Sequence, residues 1–296
     1  MTLKKIALRI LLVGLAAVAL AAALFFPSWK QASYNGGQQY AEPFRIAGNL
    51  YFVGANDVAA FLITGPDGHI LIDGGYPGTA RMIMASIAEL GFDIRDVKVL
   101  LNSHAHFDHA GGLKELQDAS GAALWISEPE ADIIAEGGSD DPFLGPLGII
   151  LPILEYPAPR VDHRFKDGAK IRVGGTELTG YITAGHSPGC TSWSLALREG
   201  DRELLAVSVC SLGVPPTLSF GDYPEIRAAF ERSFRTLRDL PADIWVTAHG
   251  RDFGRWRKFS EGRKAGDPVA PFIDPEGYRR YIDDAEATYR KTIADH

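Results

Sequence analysis

The sequence predicts an α/β fold in which two β-sheets pack against each other and helices cover the outside. Short strands and helices alternate in both halves of the chain, and no linker separates the halves into independent domains. A chain of 296 residues, 46% of them hydrophobic, is long enough to bury one large core of this kind. We therefore expect one large domain rather than two small ones.

The first half contains five predicted strands and three predicted helices. Apolar runs bounded by turns indicate the strands, and a Gly-Pro-Asp-Gly turn at residues 65–68 separates the second from the third. Apolar residues recur at helical spacing from Thr79 to Leu90, and Gly91 ends this helix. The strands are predicted at residues 50–53, 59–64, 69–73, 97–101 and 123–126, and the helices at 79–90, 113–118 and 129–136.

The second half repeats this pattern of strands and helices. Strands are predicted at residues 170–173, 177–183, 191–197, 204–209 and 244–247, and helices at 225–240 and 276–294. Between the halves, residues 137–160 are rich in Pro and Gly and carry apolar residues such as Phe143 and Leu147. A long irregular segment of this kind is either a functional loop or packing over the core, and the sequence leaves both open.

The N-terminus has the pattern of a targeting segment. Lys4, Lys5 and Arg9 precede an uncharged apolar run at residues 10–26. This run is long for a cleaved signal and short for a membrane-spanning helix, so residues 1–27 are predicted to be a signal peptide or an N-terminal membrane anchor. A buried core helix is the alternative. We expect an exported, periplasmic protein in which residues 28–44 are a linker and residues 45–296 form the folded domain.

The charge balance argues against one class of partner. A net charge of -7 offers no basic face to a phosphate backbone, so we do not expect nucleic acid as a partner. A local basic cluster at residues 255–258, with the sequence Arg-Trp-Arg-Lys, is interpreted as a solvated cationic face. Contact with a membrane is expected only through the N-terminal segment, if that segment is retained.

The densest group of chemically active side chains follows the strand predicted at 97–101. Within six residues come His104, His106, Asp108 and His109. Imidazole and carboxylate are groups that zinc accepts as ligands. Two histidines two residues apart can face one cation from an extended segment, and a tight loop can aim Asp108 and His109 at a second cation. A solvated His-rich loop is the alternative, which histidines farther along the chain disfavour.

Two later histidines also follow predicted strands directly. His186 lies in a Gly-His-Ser-Pro-Gly turn, and His249 comes after the strand at 244–247. With the first motif they supply six ligands, enough for two zinc ions that each keep an open position, as catalytic sites do. The other histidines are predicted to have surface or hydrogen-bonding roles, and they are His69, His163 and His296.

This order of ligands resembles that of the metallo-β-lactamase superfamily. The pattern is His-x-His-x-Asp-His, then a histidine in a Gly-His-x-Pro-Gly turn, then a histidine after a strand. Over residues 45–290 the chain resembles, within that superfamily, the class B metallo-β-lactamases of the third subclass (B3). The resemblance implies the four-layer αββα sandwich of the family, with a dinuclear zinc site at one edge between the sheets. The strings that carry it lie at residues 67–74, 103–112, 137–141 and 184–193.

The resemblance also assigns the ligands to two ions. One zinc ion is matched to His104, His106 and His186, and the other to Asp108, His109 and His249. In this family a metal-bound hydroxide attacks the amide bond of the β-lactam ring, so zinc-dependent β-lactam hydrolysis, and with it antibiotic resistance, is implied. Asp108 is then a ligand and also a candidate catalytic residue that orients the hydroxide or relays its proton. Asp73 is expected to support a ligand rather than to bind metal.

The identity of the residue after the strand at 204–209 distinguishes the functional classes of the superfamily. Glyoxalase II, lactonases and tRNA-processing nucleases place a metal-bridging aspartate there, whereas this chain has Cys210 and Ser211. Ser211 matches a serine that orients the β-lactam carboxylate in the third subclass, and an ordinary turn serine is the alternative. Gly213 and Gly250 depart from the family pattern, which in some relatives has serine and proline at these places.

Cys190 and Cys210 are the two cysteines of the chain. An exported protein with two cysteines favours a disulfide, and some members of the third subclass join cysteines at the matching places. Such a bond would brace two loops that carry metal ligands. A free buried pair is one alternative, and Cys210 as a soft zinc ligand is another.

Two functions of other kinds stay open. The first is a hydrolase of the same fold that acts on a lactone or a thioester, which the missing bridging aspartate disfavours. The second is an exported zinc-binding protein without catalysis, which the open coordination positions disfavour. We therefore expect two Zn²⁺ ions per chain and a β-lactam antibiotic as the small-molecule substrate.

Overall fold

The computed structural model describes residue 14 and residues 39–139, 155–215 and 225–294. Within these ranges, two β-sheets share one hydrophobic core and helices pack on their outer faces. This arrangement confirms the predicted αββα sandwich, in which each sheet buries both of its faces.

The two sheets contain twelve strands among the described residues. Seven form the first sheet, with neighbours in chain order: β1 (Phe44–Ala47), β2 (Leu50–Phe52), β3 (Phe61–Ile63), β4 (His69–Ile72), β5 (Val97–Leu101), β6 (Ala123–Ser127) and β7 (His163–Phe165). Five form the second sheet: β8 (Ala169–Val173), β9 (Thr176–Ile182), β10 (Thr191–Glu199), β11 (Arg202–Val209) and β12 (Ile244–Thr247). Strands β1 to β4 pair antiparallel and β4 to β7 parallel. In the second sheet β8 to β11 pair antiparallel, and β12 is parallel to β11.

Seven α-helices lie between or after these strands within the described ranges. They are α1 (Ala80–Glu89), α2 (Phe107–Ala110), α3 (Leu113–Ser120), α4 (Glu128–Ala135), α5 (Glu225–Asp239), α6 (Arg255–Ala265) and α7 (Pro275–Ala294). Helix α3 ends where Gly121 adopts a left-handed conformation (φ 71°), which glycine takes without steric cost. Helices α1, α3 and α4 cover the first sheet, and α5 and α7 pack together with the core of the second.

Strand β4 shows how the side chains divide between the two cores. Ile70 and Ile72 are buried in the core shared by the two sheets, whereas Leu71 is buried with helices α1 and α3 on the outer face. Successive side chains of a strand point to opposite faces, so a strand that is covered on both sides is apolar throughout. The continuous apolar run that marked this strand in the sequence has this cause.

The prediction that the basic cluster at residues 255–258 is a solvated face is wrong for two of its three cations, since only Arg257 is exposed. The cluster begins helix α6, in which Arg255 and Lys258 are only 2% and 1% exposed. The guanidinium of Arg255 lies 4.6 Å from the ring centroid of Phe52, and Lys258 Nζ lies 3.1 Å from Asp274 Oδ2. Long basic side chains bury their aliphatic stems when an aromatic ring or a carboxylate receives the charged end.

Several predicted segments lie outside the described residues. They are the targeting segment apart from residue 14, the part of the linker before residue 39, and residues 140–154 of the predicted long loop. Among the helices of the described ranges, none is both long enough and apolar enough to cross a membrane.

Candidate metal centre

The predicted ligands lie where strands of both sheets end. Four of them follow β5 in the first sheet, while His186 follows β9 and His249 follows β12 in the second. A backbone bridge between His249 and Val58 holds the end of β12 against a loop of the first sheet. Five imidazoles and one carboxylate are therefore brought together at one edge of the sandwich.

The two pairs of ligands that follow β5 differ in local structure, because the second pair lies in a one-turn helix. His104 and His106 precede helix α2, and the backbone of His106 is extended (φ -64°, ψ 148°). Asp108 and His109 lie inside the helix, where a tight loop was predicted. The N–H groups of His109 and Ala110 donate to the His106 carbonyl at 3.0 Å and 2.8 Å, and so close the turn. The helix places the ring of His109 beside that of His104, with centroids 4.3 Å apart, so the two pairs border each other and can serve two neighbouring cations.

His104, His106 and His186 form what we call the three-histidine cluster. His106 Nδ1 and His186 Nε2 lie 3.1 Å apart, and the ring centroid of His104 is 4.5 Å and 4.8 Å from those of His106 and His186. Burial and then the neighbouring imidazoles lower the pKa of His186 to about 3, and they hold the pKa of His104 well below its usual value. These two rings are therefore neutral, which is the form that binds a metal ion.

Asp108, His109 and His249 form what we call the aspartate cluster. Asp108 Oδ2 lies 3.2 Å from His109 Nε2 and 3.8 Å from His249 Nε2. The ring centroids of His109 and His249 are 5.0 Å apart. One carboxylate oxygen thus faces an imidazole nitrogen on each side.

Charge is distributed differently in the aspartate cluster. Burial disfavours the charged form of His109, but Asp108 and Asp73 outweigh it and raise the pKa of His109 to about 10. Burial also opposes ionisation of Asp108, but His109 outweighs it and holds the pKa of Asp108 below its usual range. Burial and the neighbouring His109 lower the pKa of His249 to about 4. A cation that binds here must displace a proton from His109.

The donor set fits metal ions. His186 Nδ1 donates to the Gly213 carbonyl at 2.6 Å, so its Nε2 keeps a lone pair that faces the other imidazoles. Both ring nitrogens of His109 are buried, and each faces a carboxylate: Asp73 Oδ2 lies 3.4 Å from Nδ1 and Asp108 Oδ2 lies 3.2 Å from Nε2. Neutral imidazole and carboxylate are the nitrogen and oxygen ligands of zinc.

Asp73 connects the two clusters from behind. Its backbone is left-handed (φ 68°), an uncommon conformation for a residue with a Cβ. Its buried carboxylate accepts hydrogen bonds from the Ser103 N–H, the Ser103 hydroxyl and the Asn102 amide at 2.6 Å, 2.8 Å and 2.9 Å. The Ser103 hydroxyl lies 3.0 Å from His104 Nδ1, and Asp73 Oδ2 lies 3.4 Å from His109 Nδ1. Asp73 therefore contacts one ligand of each cluster, directly or through Ser103.

The segment after β11 borders the three-histidine cluster. Cys190 and Cys210 are joined as a disulfide, with Cα atoms 5.8 Å apart. Their sulfur atoms lie near the cluster, but a disulfide sulfur is not the thiolate that zinc takes from cysteine. Ser211 follows and is partly exposed, and two residues later the Gly213 carbonyl accepts the hydrogen bond of His186.

The remaining histidines do not join the site. His69 Nδ1 accepts a hydrogen bond from the Gly65 N–H at 3.3 Å. The ring of His163 stacks on Trp125, with centroids 4.1 Å apart. These are the hydrogen-bonding and surface roles that the sequence indicated, and His296 lies outside the described residues.

Sequence reasoning missed the groups that orient the ligands. They include the Gly213 carbonyl, the Ser103 hydroxyl, the Asp57 carboxylate 3.9 Å from His249 Nδ1, and the Glu130 carboxylate, which contacts two ligand loops. An acidic residue in the first turn of a helix, as Glu130 is, is common because it interacts well with the helix dipole. That signal alone does not distinguish Glu130 from any other helix-starting acid.

Comparisons with a family model and with solved structures each cover most of the chain. Residues 53–249 match the family model described as the Metallo-beta-lactamase superfamily. The native FEZ-1 metallo-β-lactamase from Legionella gormanii is similar with a TM-score of 0.82 and 34% identity, over 87% of this chain and 97% of that chain. BJP-1, a subclass B3 metallo-β-lactamase of Bradyrhizobium japonicum, is similar with a TM-score of 0.79 and 30% identity, over 88% and 96%.

Among curated sequences the similarity is shorter. The N-acyl homoserine lactonase AttM from Agrobacterium fabrum is 30% identical over 176 residues, which are 51% of this chain and 64% of that protein. The chain spans 62% and 64% of the length of the first two curated relatives that it matches. The family model and the solved structures confirm the resemblance found in the motifs. The chain belongs to the metallo-β-lactamase superfamily, and within it groups with the subclass B3 enzymes.

Proposed function

We propose that this protein hydrolyses the amide bond of β-lactam antibiotics with two bound zinc ions, and so confers resistance to them. The observation that carries the proposal is the meeting of the three-histidine cluster and the aspartate cluster at one edge of the sandwich. The similarity to FEZ-1 and BJP-1 over most of the chain supports the substrate class.

The six proposed ligands determine which chemistry the site supports. When bound, zinc lowers the pKa of water from about 15.7 to about 7 and polarises carbonyl groups. Neutral imidazoles add no negative charge at the three-histidine cluster, so this side suits the developing oxyanion of a ring-opening reaction. Asp108 is the one carboxylate among the six ligands, and its position between two imidazoles suits it to orient the attacking hydroxide or to relay its proton.

Ser211 is proposed to bind the carboxylate that β-lactams carry beside the ring. It follows the last buried residues of β11, in the segment whose Gly213 carbonyl contacts His186. Its hydroxyl can donate a hydrogen bond to a carboxylate that lies over the metal centre. The role of Ser211 is thus to position the substrate, while the clusters carry the chemistry.

Hydrolysis of a lactone is the second candidate, and the 30% identity with AttM favours it. At the place where lactonases have a bridging aspartate, this chain has Cys210, whose sulfur is bonded to Cys190. A disulfide sulfur does not bridge two hard or borderline cations as a carboxylate does. β-Lactam hydrolysis therefore remains the better-supported function.

Export is part of the proposal. The basic and then apolar pattern of residues 1–27 directs the chain to the periplasm, either cleaved or retained as an anchor. An oxidising compartment of this kind also permits the disulfide between Cys190 and Cys210.

Ring opening of a carbapenem, followed by ultraviolet absorbance, tests the proposed function. We expect the zinc-loaded protein to hydrolyse the carbapenem, a chelator to abolish turnover, and added zinc to restore it. Penicillin, cephalosporin and an acyl homoserine lactone are run in parallel. Turnover of the lactone alone by a protein with two zinc ions would replace the proposal with the second candidate. A zinc-loaded protein inert to all four, and to a thioester tested beside them, would indicate a zinc-binding protein without catalysis.

A further inference from the structure

We propose that Glu130 is a positioning residue of the metal centre, and that its one carboxylate fixes the two loops that carry the three-histidine cluster. Glu130 lies in the first turn of helix α4 and is 1% exposed. The chemistry proposed above gives it no role. Its position behind the ligands, rather than among them, indicates an effect on metal binding through the backbone.

The first loop is held through the peptide between two ligands. Glu130 Oε2 accepts a hydrogen bond from the Ala105 N–H at 2.7 Å. Ala105 lies between His104 and His106, so this bond fixes the backbone from which both imidazoles extend. The Tyr156 hydroxyl donates to the Ala105 carbonyl at 2.7 Å, so the same residue is held at both of its polar groups.

The second loop is held by the other oxygen of the same carboxylate. Glu130 Oε1 accepts hydrogen bonds from the Gly189 N–H at 2.8 Å and from the hydroxyl of Ser187, the residue after His186. Ser127, just before helix α4, donates to the Gly189 carbonyl at 2.9 Å. A Cβ on Gly189 would lie 2.6 Å from Glu130 Cγ and 2.3 Å from Ser127 Oγ, so this close approach requires glycine.

A carboxylate suits this position because it accepts hydrogen bonds at both oxygens and donates none. The three donors come from loops of different sheets, and bonds to a carboxylate are stronger than bonds between neutral groups. Glu130 therefore helps set the separation of His106 and His186, whose ring nitrogens approach to 3.1 Å. Metal–ligand distances tolerate errors of only about 0.2 Å, so loosening the loops weakens metal binding.

Glu130→Gln tests this inference, with Glu128→Gln as the matched control. Glutamine keeps the shape of the side chain but turns an amide NH₂ toward at least one of the three donors. Glu128 lies in the same helical turn and is paired at the surface with Lys166, 3.8 Å away. The readouts are the two zinc dissociation constants from competition with a chromophoric chelator, the absorption spectrum of the cobalt(II)-substituted protein, and the thermal melting curve.

We expect Glu130→Gln to fold, to raise one of the two zinc dissociation constants by about 10- to 100-fold, and to shift the absorption spectrum of the cobalt-substituted protein. Glu128→Gln is expected to match the parent protein. A lower melting temperature with unchanged zinc affinity and cobalt spectrum would overturn the inference, because Glu130 would then serve the fold alone. If Glu130→Gln does not fold, Ser187→Ala takes its place, because it removes one of the hydrogen bonds that Glu130 accepts. The same measurements are then made on this variant. A zinc affinity of Ser187→Ala equal to that of the parent protein overturns the inference.

The inference rests on the metal site of the proposed function and not on its substrate. A parent protein that binds two zinc ions but leaves β-lactams intact refutes the proposed substrate, and the zinc affinities of the variants still decide the role of Glu130. A parent protein that binds no zinc overturns both.

Discussion

At His109, protonation and metal binding compete for the same ring nitrogen. Although burial opposes it, Asp108 and Asp73 raise the pKa of His109 to about 10. Zinc takes only the neutral ring, so binding at the aspartate cluster releases this proton. Between pH 6 and pH 9 we expect the zinc affinity of this cluster to rise about tenfold per pH unit. Calorimetric titration in buffers of different ionisation enthalpy counts the released proton.

The three-histidine cluster is the internal control for this prediction. The pKa of His186 is lowered to about 3 and that of His104 lies well below its usual value, so the pH dependence there is expected to be smaller. The stability of the metal-free protein has the opposite pH dependence, because it falls as the pH rises. The charged His109 stabilises the fold fully below pH 6.5, and this contribution is lost as the pH rises through about 10. A zinc affinity of the aspartate cluster that is flat with pH would contradict the assignment of the proton to His109.

Ser211 is the residue at which substrate binding can be separated from metal binding. Ser211→Ala removes one hydrogen bond to the substrate carboxylate, worth about 1 kcal/mol, so we expect KM for a carbapenem to rise about fivefold. The value of kcat and the zinc content are expected to stay unchanged, because no ligand is touched. Steady-state kinetics measure both constants, with Ser260→Ala on helix α6 as the control. An unchanged KM would make Ser211 an ordinary turn serine.

Among the elements, those buried on both faces were the most predictable. Strands β5 and β12 have the bounds that the sequence predicts, because each is an apolar run between clear breaks. The short strands β1 and β7 at the sheet edges were missed, since three or four residues carry little periodicity. Helix α6 was missed because its buried face includes Arg255 and Lys258, which do not read as apolar. A buried cation is visible only once its partners are placed.

The same distinction applies to the elements of the site. The six proposed ligands could be named from the sequence because their chemistry lies in the side chains themselves and in their spacing. Glu130 could not, because its partners include backbone N–H groups 25 and 59 residues away. The Gly213 carbonyl that holds His186 carries no side-chain signal at all. Groups that act through the backbone are recognised only after the loops have been brought together.

Lys258 of helix α6 contacts Asp274, the residue before helix α7. Its Nζ lies 3.1 Å from Asp274 Oδ2 and 4.8 Å from the ring centroid of Trp245, and Asp274 also accepts the Gly277 N–H at 2.9 Å. Lys258→Met keeps the packing and removes the buried charge, while Asp274 stays partly exposed with Arg280 3.7 Å away, so we expect a change in the free energy of unfolding within about 1 kcal/mol. Asp274→Ala leaves the buried ammonium unpaired and removes the helix cap, and is expected to cost about 3 kcal/mol.

Urea unfolding of both variants measures these changes. Arg257→Met, on the exposed side of helix α6, is the control for loss of a positive charge. If Lys258→Met lowers the free energy of unfolding by more than Asp274→Ala does, the ion pair itself stabilises the fold. The aliphatic contacts of Lys258 then contribute less to stability than the ion pair.

In the molecule as a whole, the proposed metal centre lies between two sheets that are also joined by their shared core, by the bridge between Val58 and His249 and by the hydrogen bonds of Glu130. Four proposed ligands follow β5 of the first sheet, whereas His186 and His249 come from the second. The disulfide between Cys190 and Cys210 joins only the start of β10 to the end of β11, which are neighbouring strands of one sheet. Metal ions at this edge, and not the disulfide, would therefore cross-link the two sheets.

Removal of the metal ions is accordingly expected to destabilise the whole fold as well as to abolish turnover. A ligand that binds only the folded chain stabilises it by about 4 kcal/mol when its free concentration is a thousand times Kd. For a domain of this size that corresponds to a fall in Tm of about 10 °C on chelation, measured by differential scanning calorimetry. Reduction of the disulfide is expected to leave this metal-dependent difference in place, because the disulfide does not connect the sheets. A Tm that is the same with and without zinc would mean that the shared core and the hydrogen bonds between the sheets hold them together without metal.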